Sequence, residues 1–203
     1  MRINRLELGA GGGLVGLAVA RGCEIQNTIL ATDQAEMVPL MEHNIGLNEL
    51  QDHVRALVLN WYDFPAEFAA ISRNTRGFGS EDGLSAAVGS PHDGAEFWSD
   101  VSSFSHRGEA LPRTVADFKP DVILAADCVY FEPAFPLLLA TLTELLALCP
   151  AATIYFCFKK RRRADMQFLK KARRTFLVEE MHDDDRPVFS REGLFLHTFR
   201  HKQ

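Results

Sequence analysis

The chain has 203 residues and a formal net charge of -5, with 47% of its residues hydrophobic and 24% charged. Those proportions describe one ordinary globular domain and exclude collagen-like, coiled-coil and wholly disordered chains. No apolar run approaches the roughly 20 residues of a membrane helix, and glycines stand where a signal peptide needs its apolar stretch.

The elements follow in a regular order. Residues 3–8 predict a short strand, and a glycine cluster follows it. Residues 14–20 predict a buried helix ending near Gly22. Residues 28–32 predict a second strand with Asp33 at its end. Val38, Met41, Ile45 and Leu47 recur at helical spacing over 34–50, with Pro39 in the first turn. Residues 54–59, 121–126 and 153–158 predict three further strands. Between the last two, residues 135–148 are apolar and helix-length. A charged helix over 165–174 shows Met166, Leu169 and Ala172 on one side, and residues 176–181 and 194–199 predict two late strands. Alternating strands and helices predict an α/β fold, a mostly parallel sheet covered on both faces. The dozen polar residues between the last two strands are too few for a crossover helix, so these strands predict an antiparallel edge pair. Residues 66–117, rich in Gly, Ser and charge, interrupt this single domain as an insertion predicted to be disordered, with Phe97, Trp98, Val101 and Phe104 as a docking patch.

The strongest local signal is the run from Leu6 to Gly16, LELGAGGGLVG, in which a strand feeds a glycine turn and then a helix. Such a turn lets a ligand approach the backbone. Gly11, Gly13 and Gly16, with Asp33 20 residues after Gly13, match a dinucleotide fingerprint. Glu7 argues for a different ligand. A carboxylate at the strand end suits a cationic amino group and is a poor neighbour for a pyrophosphate. S-adenosylmethionine carries an ammonium and a ribose diol that Asp33 can hold. Asp33 can also cap the helix that follows.

Asp127 and Tyr130 stand just past the fourth strand, where open α/β sheets put their ligands. A helical turn there would place both on one face. Asp127 then suits orienting an incoming ammonium, and Tyr130 suits a hydrogen bond from an amine. The plainer alternative is that Asp127 caps the helix starting near Glu132 and Tyr130 only packs.

The motifs LELGAGGGLVGL (6–17), ATDQ (31–34), HNIGLN (43–48), LNWYD (59–63), DVILAADCVYFEP (121–133) and YFCFKKRRRAD (155–165) resemble the family-16 seven-β-strand protein-lysine methyltransferases. The last is most similar to the fungal enzymes that methylate translation elongation factor 1A. The resemblance implies a class I, Rossmann-like seven-stranded sheet with S-adenosyl-L-methionine as cofactor. It implies that Gly9, Ala10 and Gly11 line the methionine end of that cofactor. Asp33 would hold the ribose, and Trp61 and Ala126 would bracket the adenine and sulfonium region. It also implies elongation factor 1A as the protein substrate. Relatives in this family carry a region ahead of the first strand that covers the cofactor. This chain starts at the strand itself, so the resemblance leads us to expect that a covering segment is missing.

Residues 159–174 hold nine of the 22 Lys and Arg against one acid, Asp165. The segment Lys159, Lys160, Arg161, Arg162 and Arg163 reads either as a solvated turn, pairing with the acidic run at 179–185, or as a docking site for acidic protein surface. The rest of the chain is strongly acidic, which disfavours nucleic acid as a partner. Cys23, Cys128, Cys149 and Cys157 are scattered without a C-x-x-C pair. They predict reduced thiols in a cytoplasmic or nuclear protein, and no zinc site. Two alternatives stay open beside the methyltransferase: an NAD(P)-dependent oxidoreductase, and a truncated, non-catalytic fold that binds a partner.

Overall fold

The computed structural model describes residues 2–61 and 111–202. Seven strands form one sheet in the order β3-β2-β1-β4-β5-β7-β6. They are β1 (Arg5–Leu8), β2 (Ile29–Asp33), β3 (Val54–Val58), β4 (Val122–Ala126), β5 (Thr153–Lys159), β6 (Phe176–Glu180) and β7 (Leu194–His201). The first five run parallel, and β7 is antiparallel to both β5 and β6. The expected antiparallel pair is therefore present, with the last strand inserted between β5 and β6.

Burial along the strands shows why the pattern reads as parallel. Leu6, Glu7 and Leu8 are successive and all buried, as are Ile29, Leu30, Ala31 and Thr32. Successive strand residues point to opposite faces, so both faces of the central sheet are covered.

The helices are α1 (Leu14–Gly22), α2 (Val38–Leu47), α3 (Arg113–Phe118), α4 (Phe135–Leu148), α5 (Arg163–Thr175) and α6 (Arg186–Arg191). Short 3-10 turns lead into α2 (Ala35–Met37) and α4 (Glu132–Ala134). Proline stands in the first turn of both α2 and α4, where its missing N–H costs nothing. Phe135, Leu138, Leu142, Leu145 and Leu146 bury one stripe of α4. The buried face of α5 is Phe168, Leu169 and Ala172, with Phe168 taking the place expected of Met166.

Two cores result. Leu17, Ile29, Ala31, Met41, Ile45 and Val54 cluster beneath α1 and α2. In the other half, Phe156 stacks on Phe168 at 5.4 Å and on Phe199 at 4.8 Å, while Phe176 stacks on Phe199 at 5.8 Å. Each fully buried phenylalanine contributes up to about 3 kcal/mol.

α3 occupies the end of the stretch expected to be an insertion, and its Val115 is buried. The folded body thus resumes before residue 117. The rest of that stretch, with the patch from Phe97 to Phe104, lies outside the described residues. α6, between the last two strands, is a single short helix that the polar composition did not announce. Among the described residues no helix is long and apolar enough to cross a membrane.

The strand order places β1 between β2 and β4, and the chain direction of progression reverses there. In such sheets a crevice opens at the carboxyl ends of the strands on either side of the reversal.

Candidate active site

The glycine turn leaves β1 at its carboxyl end. Gly9, Gly11 and Gly13 have φ of 64°, 55° and 81°, a region that side chains with a Cβ enter only at a cost. The Ala10 N–H donates to the Thr32 carbonyl at 3.0 Å, and the Gly13 N–H to the Ala10 carbonyl at 2.8 Å. Asn44 on α2 donates from Nδ2 to the Gly12 carbonyl at 2.8 Å. The turn is therefore pinned from β2 and α2 together.

Glu7 is only 2% exposed. Its Oε2 accepts the Gly16 N–H at 2.8 Å and its Oε1 accepts the Val15 N–H at 3.2 Å. Burial pushes this carboxyl up to about 7, while the two N–H donors pull it back. The carboxylate expected to suit a ligand's ammonium thus accepts amides from the first turn of α1.

Asp33 ends β2. Its Oδ2 accepts the Gly11 N–H at 2.7 Å and its Oδ1 accepts the Gln34 N–H at 2.7 Å. It braces the glycine turn. The residue ahead of the 3-10 turn is Gln34, and no side chain caps that turn. Trp61 lies at the far side of Gly9: a Cβ on Gly9 would come within 2.6 Å of Trp61 Cζ2 and 3.1 Å of Cys128 Sγ.

Ala126 ends β4, paired in register with Cys157 of β5. Asp127 follows with φ of 56° and donates its N–H to the Cys157 carbonyl at 2.7 Å. Residues 127–131 form no helical turn, so Asp127 and Tyr130 do not share a helix face as expected. Asp127 is not a helix cap either, because the residue preceding the 3-10 turn into α4 is Phe131, which offers no side-chain bond. Arg161 grips it instead with both guanidinium arms, Nη1 to Oδ1 at 2.6 Å and Nη2 to Oδ2 at 2.7 Å. That hydrogen bond is the main cause holding the Asp127 carboxyl below its ordinary value. Tyr130 is 62% exposed, and its phenol is pushed up by partial burial and then by the Asp33 charge. Its carbonyl accepts from Arg162 Nη2 at 2.6 Å.

Cys128 is buried between these acids and donates to the Leu8 carbonyl at 3.4 Å. Burial pushes its thiol far up, and the charges of Asp33, Asp127 and Glu7 add to that.

The basic segment is thus not a uniform docking strip. Arg161 and Arg162 reach across to the β4 loop, and Lys159, Lys160 and Arg163 are exposed. The acids at 179–180 pair elsewhere, Glu180 with Arg186 and Glu179 with Arg200 at 3.5 Å. Sequence reasoning missed Arg161 and Asn44 as site residues. One signal could have found Arg161: β4 and β5 are parallel neighbours, so residues just beyond both strands must meet.

A model of the lysine methyltransferase family matches residues 1–72 and 103–175 of the chain. The chain is 36% identical over 184 residues to the protein-lysine N-methyltransferase EFM6 of Saccharomyces cerevisiae, a match covering 88% of this chain and 58% of that protein. It is 43% identical over 75 residues to EFM2 of the same yeast, covering 33% of this chain and 18% of that protein. The chain therefore spans less than two thirds of the length of either relative. Among solved structures it is similar to the S-adenosylmethionine-dependent methyltransferase SibL in its apo form. The TM-score is 0.54 at 10% identity, over 100% of this chain and 51% of that one. The N-terminal domain of human METTL16 in complex with SAH gives a TM-score of 0.52 at 9% identity, over 100% of this chain and 63% of that one. At these identities the likeness is one of fold.

Proposed function

The chain belongs to the lysine methyltransferase family, and from that membership we propose that it methylates the side-chain amine of a lysine in a protein, using S-adenosylmethionine. Translation elongation factor 1A is the substrate to test first, and we infer the cytoplasm as the place of action.

The observation that carries the cofactor reading is the polarity of the strand ends. Glu7, Asp33 and Asp127 stand at the ends of β1, β2 and β4. Glu7 is buried against α1 and Asp127 is paired with Arg161, which leaves Asp33 as the acid that can face a ribose diol. Three of the amides a pyrophosphate would use are already taken: Val15 and Gly16 by Glu7, Gly11 by Asp33. A dinucleotide would meet acids where it needs free N–H groups. A ligand with a ribose diol meets an acceptor in Asp33. This favours S-adenosylmethionine over the nicotinamide alternative.

When bound, S-adenosylmethionine would supply its methyl group to a neutral amine, the N–C bond forming as the S–C bond breaks and S-adenosylhomocysteine leaves. In this reading the backbone of Gly9, Ala10 and Gly11 lies along its methionine end. Asp33 accepts from the ribose hydroxyls, and Trp61 and Ala126 flank the adenine and sulfonium. Glu7 acts at one remove, fixing the glycine turn against α1. Indole faces suit both a flat purine and a nearby cation.

The target lysine must lose a proton before it reacts. Its free pKa of about 10.4 leaves roughly one molecule in 2,500 neutral at pH 7, a cost of about 4.6 kcal/mol. Asp127 accepts from the incoming amine and aims it, and Tyr130 lines the entrance. Water takes the proton. The remaining work is alignment in a site closed to bulk solvent.

The test is a pair of titrations of the 203-residue chain, one with S-adenosylhomocysteine and one with NADH. Saturable binding of the first alone supports the reading, and labelled-methyl transfer to elongation factor 1A, located on a lysine by mass spectrometry, completes it. Binding of NADH alone overturns it.

A further inference from the structure

We propose that Arg161 is a positioning residue that neutralises Asp127, so that the target lysine meets an acceptor without a net negative field. This rests on the reading above, in which Asp127 meets the amine.

The inference comes from a conflict in the chemistry. A bare carboxylate within about 4–6 Å of a lysine favours the charged form of that lysine. It would bind the ammonium well and hold its proton in place, which opposes transfer. The observed site does not contain a bare carboxylate. Arg161 meets Asp127 in a two-pronged pair with both distances under 2.8 Å. A carboxylate has about four lone-pair directions, and the fork occupies two. The Lys159 backbone N–H also bears on this carboxylate, which leaves at least one direction to orient an amine while the charge is cancelled.

The pair is built rather than incidental. The backbone N–H of Arg161 donates to Oδ2 of the fully buried Asp165 at 2.7 Å, which fixes where the side chain starts. Asp127 is held by its own N–H to the Cys157 carbonyl in a left-handed backbone conformation. Arg162 ties the Tyr130 carbonyl from the same segment. The other groups facing Asp127 are Lys159, which reinforces Arg161, and the thiols of Cys128 and Cys157, both pushed up chiefly by burial, with the Asp127 charge adding to it, and so neutral. Arg161 is therefore the principal cation, and its removal leaves the acid dominant.

The experiment is the pH dependence of kcat from about pH 6 to 10, with saturating cofactor and elongation factor 1A as acceptor, for the wild type, Arg161→Gln and Arg161→Lys. Arg161→Gln should move the rising limb to higher pH by about one unit or more. At pH 7 that is about a tenfold lower kcat, with the acceptor KM no higher than in the wild type. Arg161→Lys keeps the charge and should keep the limb. If Arg161→Gln lowers kcat equally at every pH, or raises KM with an unmoved limb, Arg161 only shapes the loop and the inference fails. Should Arg161→Gln no longer bind S-adenosylhomocysteine, a displaced limb in Arg161→Lys overturns the inference on its own. A wild type that binds S-adenosylhomocysteine but methylates no lysine overturns the proposed function, and this inference with it.

Discussion

Replacing Asp165 by alanine should loosen the fold and the site together. The side chain is 0% exposed, and its Oδ2 accepts two backbone N–H groups, from Arg161 at 2.7 Å and Arg162 at 2.8 Å. Its Oδ1 faces the Arg162 guanidinium at 3.4 Å. A hydrogen bond to a charged acceptor is worth roughly 1.5–3 kcal/mol, and relief from burying the charge offsets part of the loss of two. Asp165→Ala should therefore cost about 2–3 kcal/mol. For a chain of this size that lowers Tm by about 4–12 °C. Both backbone bonds go to one oxygen, so Asp165→Asn can keep them, but its NH2 then faces the Arg162 guanidinium, donor to donor, and it should cost about 1–2 kcal/mol, less than alanine. Thermal and urea unfolding of the two variants give the comparison. An alanine variant within about 0.5 kcal/mol of the wild type refutes the argument, and so does an asparagine variant as unstable as the alanine one. In a methyl-transfer assay Asp165→Ala should also lose activity, because it frees the segment that carries Arg161.

Three other outcomes are expected. Glu7 has its folded pKa raised from 4.5 to about 7, so its share of stability is complete below pH 4.5 and is lost as pH rises to about 7, roughly 3 kcal/mol in all. Glu7→Gln cannot ionise and should flatten the stability–pH slope across that window in urea melts; an unchanged slope counts against the buried acid. Gly9→Ala forces a left-handed alanine and drives the Trp61 ring aside, which should cost about 1–3 kcal/mol and abolish S-adenosylhomocysteine binding by calorimetry. Among the four thiols, a colorimetric thiol reagent should modify exposed Cys23 first and buried Cys128 only on unfolding; fast loss of Cys128 in the native chain would show that its burial is wrong.

The elements were readable where their physics is local. The apolar stripe of residues 135–148 fixes α4 to the residue, because its periodicity and its proline are both in the sequence. The glycine turn was readable for the same reason. The Asp127–Arg161 pair joins residues 34 apart in the chain and depends on β4 and β5 lying side by side, which no local pattern records. Glu7 shows a different limit. Its type and position were legible, but the choice between a ligand and the α1 amides is made by the direction of α1 as it leaves the turn. Arg186 pairing with Glu180 was hidden by a short helix inside a polar run.

The insertion of β7 between β5 and β6 has a consequence for how the protein is made. β6 precedes β7 in the chain, yet β6 has only β7 as its sheet neighbour. Until residues 194–201 dock, β6 has no strand to pair with, and the rings of Phe156 and Phe176 lack the Phe199 ring that lies between them. The parallel half, from β3 to β5, can assemble while its neighbour waits. A folding chain in which β7 has not docked therefore has a formed parallel half and an open aromatic flank, the interval in which a chaperone would have most to shield. Protease pulses during refolding from urea would reveal that interval as transient cleavage near residue 176.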